Sequence, residues 1–171
     1  MSGPAQKITP YLWFDKEAEE AASLYVDLFN GRPGADAPTK SKVVEVARYG
    51  EAGPGQPGTA MTATFELEGQ EFIALNGGPQ FAFTEAFSIF VRCDSQEEVD
   101  YYWDALTSDG GEESQCGWLK DRFGLSWQII PDRLMELLGD PDPGRSQRAM
   151  QAMLQMRKID IATLERAADA A

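Results

Sequence analysis

The order of predicted elements repeats along the chain, and that repeat constrains the fold more than any other feature. Residues 8–14 form an apolar run with aromatic content, closed by Asp15, which reads as a buried strand followed by a helix cap. Ala18, Ala21, Ala22, Tyr25, Leu28 and Phe29 then recur at three- and four-residue spacing, and Asn30-Gly31 supplies a stop. That pattern predicts an amphipathic helix of about fourteen residues. Three strands are expected over residues 42–49, 60–67 and 71–76, separated by the turn-rich 50–58 and by Gly69-Gln70. The middle strand alternates, with Met61, Ala63, Phe65 and Leu67 on one face.

The same β-α-β-β-β order then begins again. Residues 86–93 read as a strand, Ser95 with Glu98 as a capping box, and Val99, Tyr102, Trp103 and Leu106 as the stripe of a helix ended by Asp109-Gly110-Gly111. Short strands around 113–118, 119–122 and 125–130 complete the second set. The halves share little residue identity, so the repeat is one of architecture. Beyond Pro131 the chain turns helical: Leu134, Leu137 and Leu138 give a short stripe, and Asp142-Pro143 and Asp160 are good helix starts. Met150, Met153 and Leu154 mark one apolar face and Ile161 and Leu164 another, which reads as packing surface against the body or a partner subunit. The expectation is an α+β fold in one structural domain: a first module over residues 6–80, a second over 85–131 and a helical tail over 132–171.

Composition narrows the function. The chain has 171 residues, 43% of them hydrophobic, enough for the core of one ordinary domain or two small fused modules. With 15 Lys and Arg against 28 Asp and Glu, the net charge of -13 repels phosphate backbones and anionic headgroups, so no nucleic acid and no membrane partner is expected. No apolar run approaches the roughly 20 residues of a membrane span, and residues 1–6 carry no apolar stretch before a cleavage site. A cytoplasmic protein is expected. Cys93 and Cys116 read as free thiols in that compartment. Nothing near Cys116 in sequence would activate it, so an inert cysteine is expected there. Histidine is absent, which removes the commonest metal ligand and the usual general base near neutral pH. The carboxylates at Glu17, Glu19, Glu20, Glu97 and Glu98 fall in first helical turns, where they complement the macrodipole rather than form a metal cluster.

Four stretches carry a family resemblance: Ile8-Thr-Pro-Tyr-Leu-Trp-Phe-Asp15, Ala74-Leu-Asn-Gly-Gly-Pro79, Gln96-Glu-Glu-Val-Asp-Tyr-Tyr-Trp103, and Gly117-Trp-Leu-Lys-Asp-Arg-Phe-Gly-Leu-Ser-Trp-Gln128. Together they resemble PhnB-like proteins of the vicinal-oxygen-chelate (glyoxalase/bleomycin resistance/dioxygenase) superfamily, a type labelled by a 3-demethylubiquinone-9 3-methyltransferase domain name. The resemblance covers about residues 6–165. It implies two curled half-barrels enclosing a cup, and a homodimer. Metal-using members place a ligand, usually His or Glu, on the first and last strand of each module. Carried over by neighbouring features, those positions fall at Pro10, Ala74, Ser88 and Gln128. Proline and alanine offer no donor, and neutral serine and glutamine are weak ligands alone. No metal and no cofactor is therefore expected. The methyltransferase label is rejected on the residues, because Gly53-Pro-Gly55 and Gly77-Gly78 lack the strand-turn-helix setting of a nucleotide-binding turn.

Alternation gives the cup one of two linings. In one register Leu12, Asn76, Ser88, Phe90, Ser126 and Gln128 face it; in the register slipped by one, Tyr11, Trp13 and Trp127 do. Either lining is apolar and aromatic with a few neutral hydrogen-bonding groups, which suits a small, partly planar organic ligand. Trp13, Trp103, Trp118 and Trp127 equally serve as core, and a buried Gln128 amide must bond either ligand or backbone. The leading expectation is metal-independent binding of a small organic molecule. The rivals are an enzyme using a substrate-borne group or a carboxylate such as Asp121, and a dimeric interaction module with a closed cup.

Overall fold

A computed structural model describes residues 6–35 and 39–170. Residues 1–5, within the stretch expected to carry no leader, and the last residue of the tail lie outside the described residues. The chain divides into two compact units, Met1–Ala82 and Phe83–Ala171.

In the first unit β1 (Tyr11–Phe14), α1 (Ala18–Asn30), β2 (Lys42–Arg48), β3 (Ala60–Leu67) and β4 (Gln70–Asn76) follow the expected order. The strands form a mixed sheet ordered β1-β4-β3-β2, with β1 parallel to β4 and the other pairs antiparallel. Helix α1 covers one face. Leu12, Phe14, Ala63, Phe65, Phe72 and Ala74 point toward it and are buried with Ala21, Ala22 and Tyr25. Phe65 stacks on Phe72 at 5.4 Å between ring centroids. Strand β1 is shorter than the sequence pattern predicts because Ile8 is solvent-exposed and Pro10 has no N–H to give the ladder.

Asp15 does not cap α1. The Ncap residue is Glu17, which makes no side-chain cap bond, and the Ala18 N–H donates instead to Asn76 Oδ1 at 2.8 Å. Asn76 Nδ2 donates in turn to the Ala60 carbonyl, 3.0 Å away. One amide from the end of β4 thus satisfies a helix donor that has no intrahelical partner, and ties the helix start to the sheet.

The second unit repeats the plan. Strands β5 (Ser88–Cys93), β6 (Glu112–Glu113), β7 (Trp118–Lys120) and β8 (Ser126–Pro131) form a sheet ordered β5-β8-β7-β6, and α2 (Gln96–Thr107) lies between β5 and β6 in sequence. Val91, Cys93, Leu119, Trp127 and Ile129 are buried together with Val99, Tyr102, Trp103 and Leu106 of α2. Ser95 caps that helix as predicted, accepting from the Glu98 N–H at 3.2 Å, while Glu98 reaches one residue beyond the usual partner to the Asp94 N–H at 2.7 Å.

The expected strand over 113–118 shrinks to two residues. Cys116 and Gly117 have φ of 58° and 84°, which takes the backbone out of any strand. Their N–H groups donate to the Met156 and Arg157 carbonyls of the C-terminal segment, at 2.8 Å each. A Cβ at Gly117 would sit 2.6 Å from Ile130 Cδ1 and 3.0 Å from the Ile129 carbonyl oxygen, so glycine is required there on both counts.

Helices α3 (Asp132–Leu138), α4 (Pro143–Met153) and α5 (Ile161–Asp169) close the unit. Asp142 and Asp160 cap the last two, accepting from the N–H groups of Gly144 and Thr163. Leu134, Leu137, Ala149, Ile159, Leu164 and Ala168 form a buried cluster with Ile130 of β8.

Asp121, between β7 and β8, is 3% exposed and accepts hydrogen bonds from the N–H groups of Phe123 and Leu125 and from Trp127 Nε1, at 2.9, 3.0 and 2.9 Å. Replacing it by alanine leaves three donors without their acceptor in the interior. We expect Asp121→Ala to lose about 3 kcal/mol in urea unfolding, and a loss within about 0.5 kcal/mol, the range of an ordinary surface substitution, would contradict that role. Cys93 is fully buried, and burial with the nearby Glu98 carboxylate pushes its thiol well above the ordinary range. A thiol reagent should therefore modify Cys116 in the native protein and reach Cys93 only after denaturation.

Candidate functional site

Each sheet has one face covered by its helix; the other is open, except at the end of β8 where Ile130 packs with the C-terminal helices, and the register decides which side chains it carries. In the first unit Tyr11 pairs with Ile73, which pairs in turn with Thr64, and Trp13 pairs with Leu75, which pairs in turn with Thr62. These residues point away from α1. Leu12, paired with Ala74, points toward the helix and is 2% exposed. The first sheet therefore follows the slipped alternative: Tyr11 and Trp13 lie on the open face, whereas Leu12 and Ala74 belong to the helix-facing core. Asn76 is occupied by its bonds to Ala18 and Ala60. Trp13 donates Nε1–H to the Gly78 carbonyl at 2.9 Å, and its ring occupies the space where a Cβ at Gly77 would lie, 2.3 Å from the nearest ring carbon.

The second unit follows the other register. Ser88, Ser126 and Lys120 are paired across β5, β8 and β7, and Glu112 of β6 is paired with Lys120. The next row on the same face is Phe90, Gln128 and Trp118. Paired residues in a sheet share a face, so a polar row lies beside an aromatic-amide-aromatic row. Trp127 points the opposite way, into the core, where Asp121 holds its indole N–H.

Gln128 Nε2 donates to Ser88 Oγ at 3.0 Å. Its Oε1 takes no hydrogen bond among the described residues. Phe90 is exposed and Trp118 half-buried, so aromatic surface flanks that free amide oxygen. Ser126 is buried, and its Oγ has no hydrogen-bond partner among the described residues. A hollow of about 120 Å3 reaches this residue from the β6–β7 side of the sheet.

Sequence reasoning missed Glu85, Glu112 and Lys120, which line that hollow. Lys120 Nζ lies 2.7 Å from Glu85 Oε1, and this bond lowers the pKa of the Glu85 carboxyl and raises that of the Lys120 ammonium. A signal for Lys120 existed: two-residue alternation puts it on the face opposite buried Leu119. The Glu85 contact bridges 35 residues and leaves no trace in local pattern.

A larger, open hollow of about 820 Å3 lies in the first unit, lined by Asp15, Lys16, Arg48, Tyr49 and the glycine turns at 55–58 and 77–78. Its Arg48 is paired bidentately with Glu19, and the Tyr49 hydroxyl donates to the Asn76 carbonyl at 2.6 Å.

The residues at the metal-ligand positions do not fit a divalent ion. The Pro10 carbonyl accepts the Ile73 N–H, Ala74 faces α1, and Ser88 and Gln128 are neutral and bonded to each other. Among the described residues no three His, Cys, Asp or Glu side chains are gathered as a metal-holding group. Among the described residues no helix is long and apolar enough to cross a membrane.

Two solved structures with TM-scores above 0.5 share this architecture. The family model of 3-demethylubiquinone-9 3-methyltransferase matches residues 6–130, so α3, α4 and α5 lie beyond it. A PhnB protein of Bacillus cereus, named for the same methyltransferase, is 37% identical over 74% of this chain and 99% of its own, with a TM-score of 0.63. Protein PA1353 from Pseudomonas aeruginosa is 22% identical over 74% of this chain and 98% of its own, with a TM-score of 0.56. A glyoxalase/bleomycin resistance protein from Albidiferax ferrireducens is 14% identical over 71% of this chain and 95% of its own, with a TM-score of 0.42. No curated protein matches. With the family match spanning both sheets and the Bacillus cereus likeness spanning nearly the whole of that protein, the chain belongs to the PhnB-like 3-demethylubiquinone-9 3-methyltransferase family.

Proposed function

We propose that the protein binds a small, partly planar organic molecule on the open face of its second sheet, without a metal ion, and does so in the cytoplasm. The observation that carries this reading is the Phe90–Gln128–Trp118 row, where an amide oxygen without a partner stands between two aromatic side chains. A planar group stacked there gains about 0.5–1.5 kcal/mol beyond simple burial for each well-placed ring pair. The Gln128 amide fixes its orientation through one hydrogen bond.

Two observations favour binding over chemistry. Asp121, the carboxylate that the sequence pattern offers to an enzyme, already accepts three protein hydrogen bonds and is buried. The glycine turns have no nucleotide-binding setting either: Gly77 and Gly78 follow β4 and pack against Trp13 and Gln80, and no helix starts from them. The methyl transfer in the family's name therefore has no support from these turns. A homodimer is part of the proposal, because Met135, Met150 and Leu154 of the C-terminal segment remain exposed and apolar. Sedimentation equilibrium should return twice the chain mass, and a monomer at micromolar concentration would refute the dimer.

Native mass spectrometry of freshly purified protein should show a small molecule that is lost on denaturation, and elemental analysis should find zinc, nickel, manganese and iron well below one ion per chain. Stoichiometric metal would overturn the metal-free reading. Gln128→Ala should weaken binding of the retained molecule by about 0.5–1.5 kcal/mol, the worth of one neutral hydrogen bond. It should change stability little, since the side chain is only half-buried. Unchanged affinity in both Gln128→Ala and Phe90→Ala would place the ligand elsewhere.

A further inference from the structure

The hollow beside the Gln128 row has a chemical character of its own. Its walls include Glu85, Glu112, Glu113, Trp118, Lys120 and Ser126. At about 120 Å3 it is smaller than the roughly 300–1,000 Å3 that encloses a whole drug-sized molecule, so it receives one arm of a ligand. Ser126 is 1% exposed on its wall, and its hydroxyl has no partner among the described residues. A buried polar group left unsatisfied is costly and uncommon in native proteins. Its presence at a cavity wall marks a bond that something outside the chain completes.

Charge identifies what completes it. Lys120 is neutralised by Glu85, 2.7 Å away. Glu113 accepts the Trp103 indole N–H at 2.8 Å and faces the Arg157 guanidinium at 3.6 Å. Glu112 is in register with Lys120 but has no ion pair of its own among the described residues. The pocket therefore keeps one uncompensated negative charge, in a chain whose net charge is -13. Anionic groups are repelled from it, and a neutral group leaves Glu112 unpaired. A protonated amine brings three N–H donors and one positive charge, and the Trp118 ring adds a favourable face for a cation.

We infer that this pocket seats the ammonium group of an organic amine, with Ser126 Oγ and the Glu112 carboxylate as acceptors and the rest of the molecule lying on the Phe90–Gln128–Trp118 row. The inference rests on the proposed binding face and names the class of ligand that face takes.

Isothermal titration calorimetry with benzylammonium, benzyl alcohol and benzoate tests it, since the three probes share a ring and differ in the charge of the arm. Benzylammonium should bind roughly tenfold or more tighter than benzyl alcohol, the scale of one hydrogen bond to a charged group, and benzoate should bind weakest. Glu112→Gln should erase most of that preference while leaving benzyl alcohol unaffected, and Ser126→Ala should weaken benzylammonium severalfold. Both variants should fold, because Glu112 is exposed and alanine at 126 removes an unpaired hydroxyl. Equal or tighter binding of benzyl alcohol or benzoate, with Gln128→Ala still weakening all three, overturns the ammonium pocket and leaves the binding face standing. Failure of every probe to bind overturns both.

Discussion

The register of β8 rests on Asp121. This buried carboxylate collects two backbone N–H groups of the turn and the indole N–H of Trp127. Once Trp127 is held on the helix side, alternation leaves Ser126 and Gln128 no choice but the open face. A slip by one residue would turn the largest side chain of the strand out of the core and two polar ones into it, and it would also break the indole bond. The polar row and the aromatic row both follow from that one anchored turn, because β5 and β7 take their register from β8.

The first sheet reaches the opposite outcome from a similar-looking strand. Tyr11-Leu-Trp-Phe14 and Ser126-Trp-Gln-Ile-Ile130 carry apolar residues on both faces, so hydrophobic pattern gives no vote on which face meets the helix. In β1 the deciding contacts are distant in sequence. The glycine pair after β4 clears room for the Trp13 ring and accepts its N–H, which draws Trp13 to the open side and sends Leu12 inward. That is why Leu12 and Asn76, read as lining residues, are core and cap, while Ser88, Phe90, Ser126 and Gln128 do share an open face.

What local chemistry encodes was legible: the doubled β-α-β-β-β order, the strand at 60–67, the Ser95 cap and the aspartate starts of α4 and α5. What depends on a partner far along the chain was not. Asn76 caps α1 across 58 residues, and the Cys116-Gly117 turn is paired with Met156 and Arg157 in place of a strand neighbour. Propensity sees neither partner. Lys120 stands between these cases: alternation assigns its face, but its charge is set by Glu85, and so is the character of the hollow beside it.

The absence of histidine carries further once the register is known. A sheet face that offers one serine-glutamine pair, one unpartnered hydroxyl and a carboxylate in register with a lysine has dispersed its polar groups along the strands rather than converged them on a point. A divalent ion needs convergent anionic or imidazole donors to replace its hydration shell. An organic molecule is extended and needs acceptors at separate places along its length, with apolar contact between them. The spacing of the two rows, adjacent on one face with Gln128 in one and Ser126 in the other, matches the second requirement, and that spacing is fixed by the strand geometry alone.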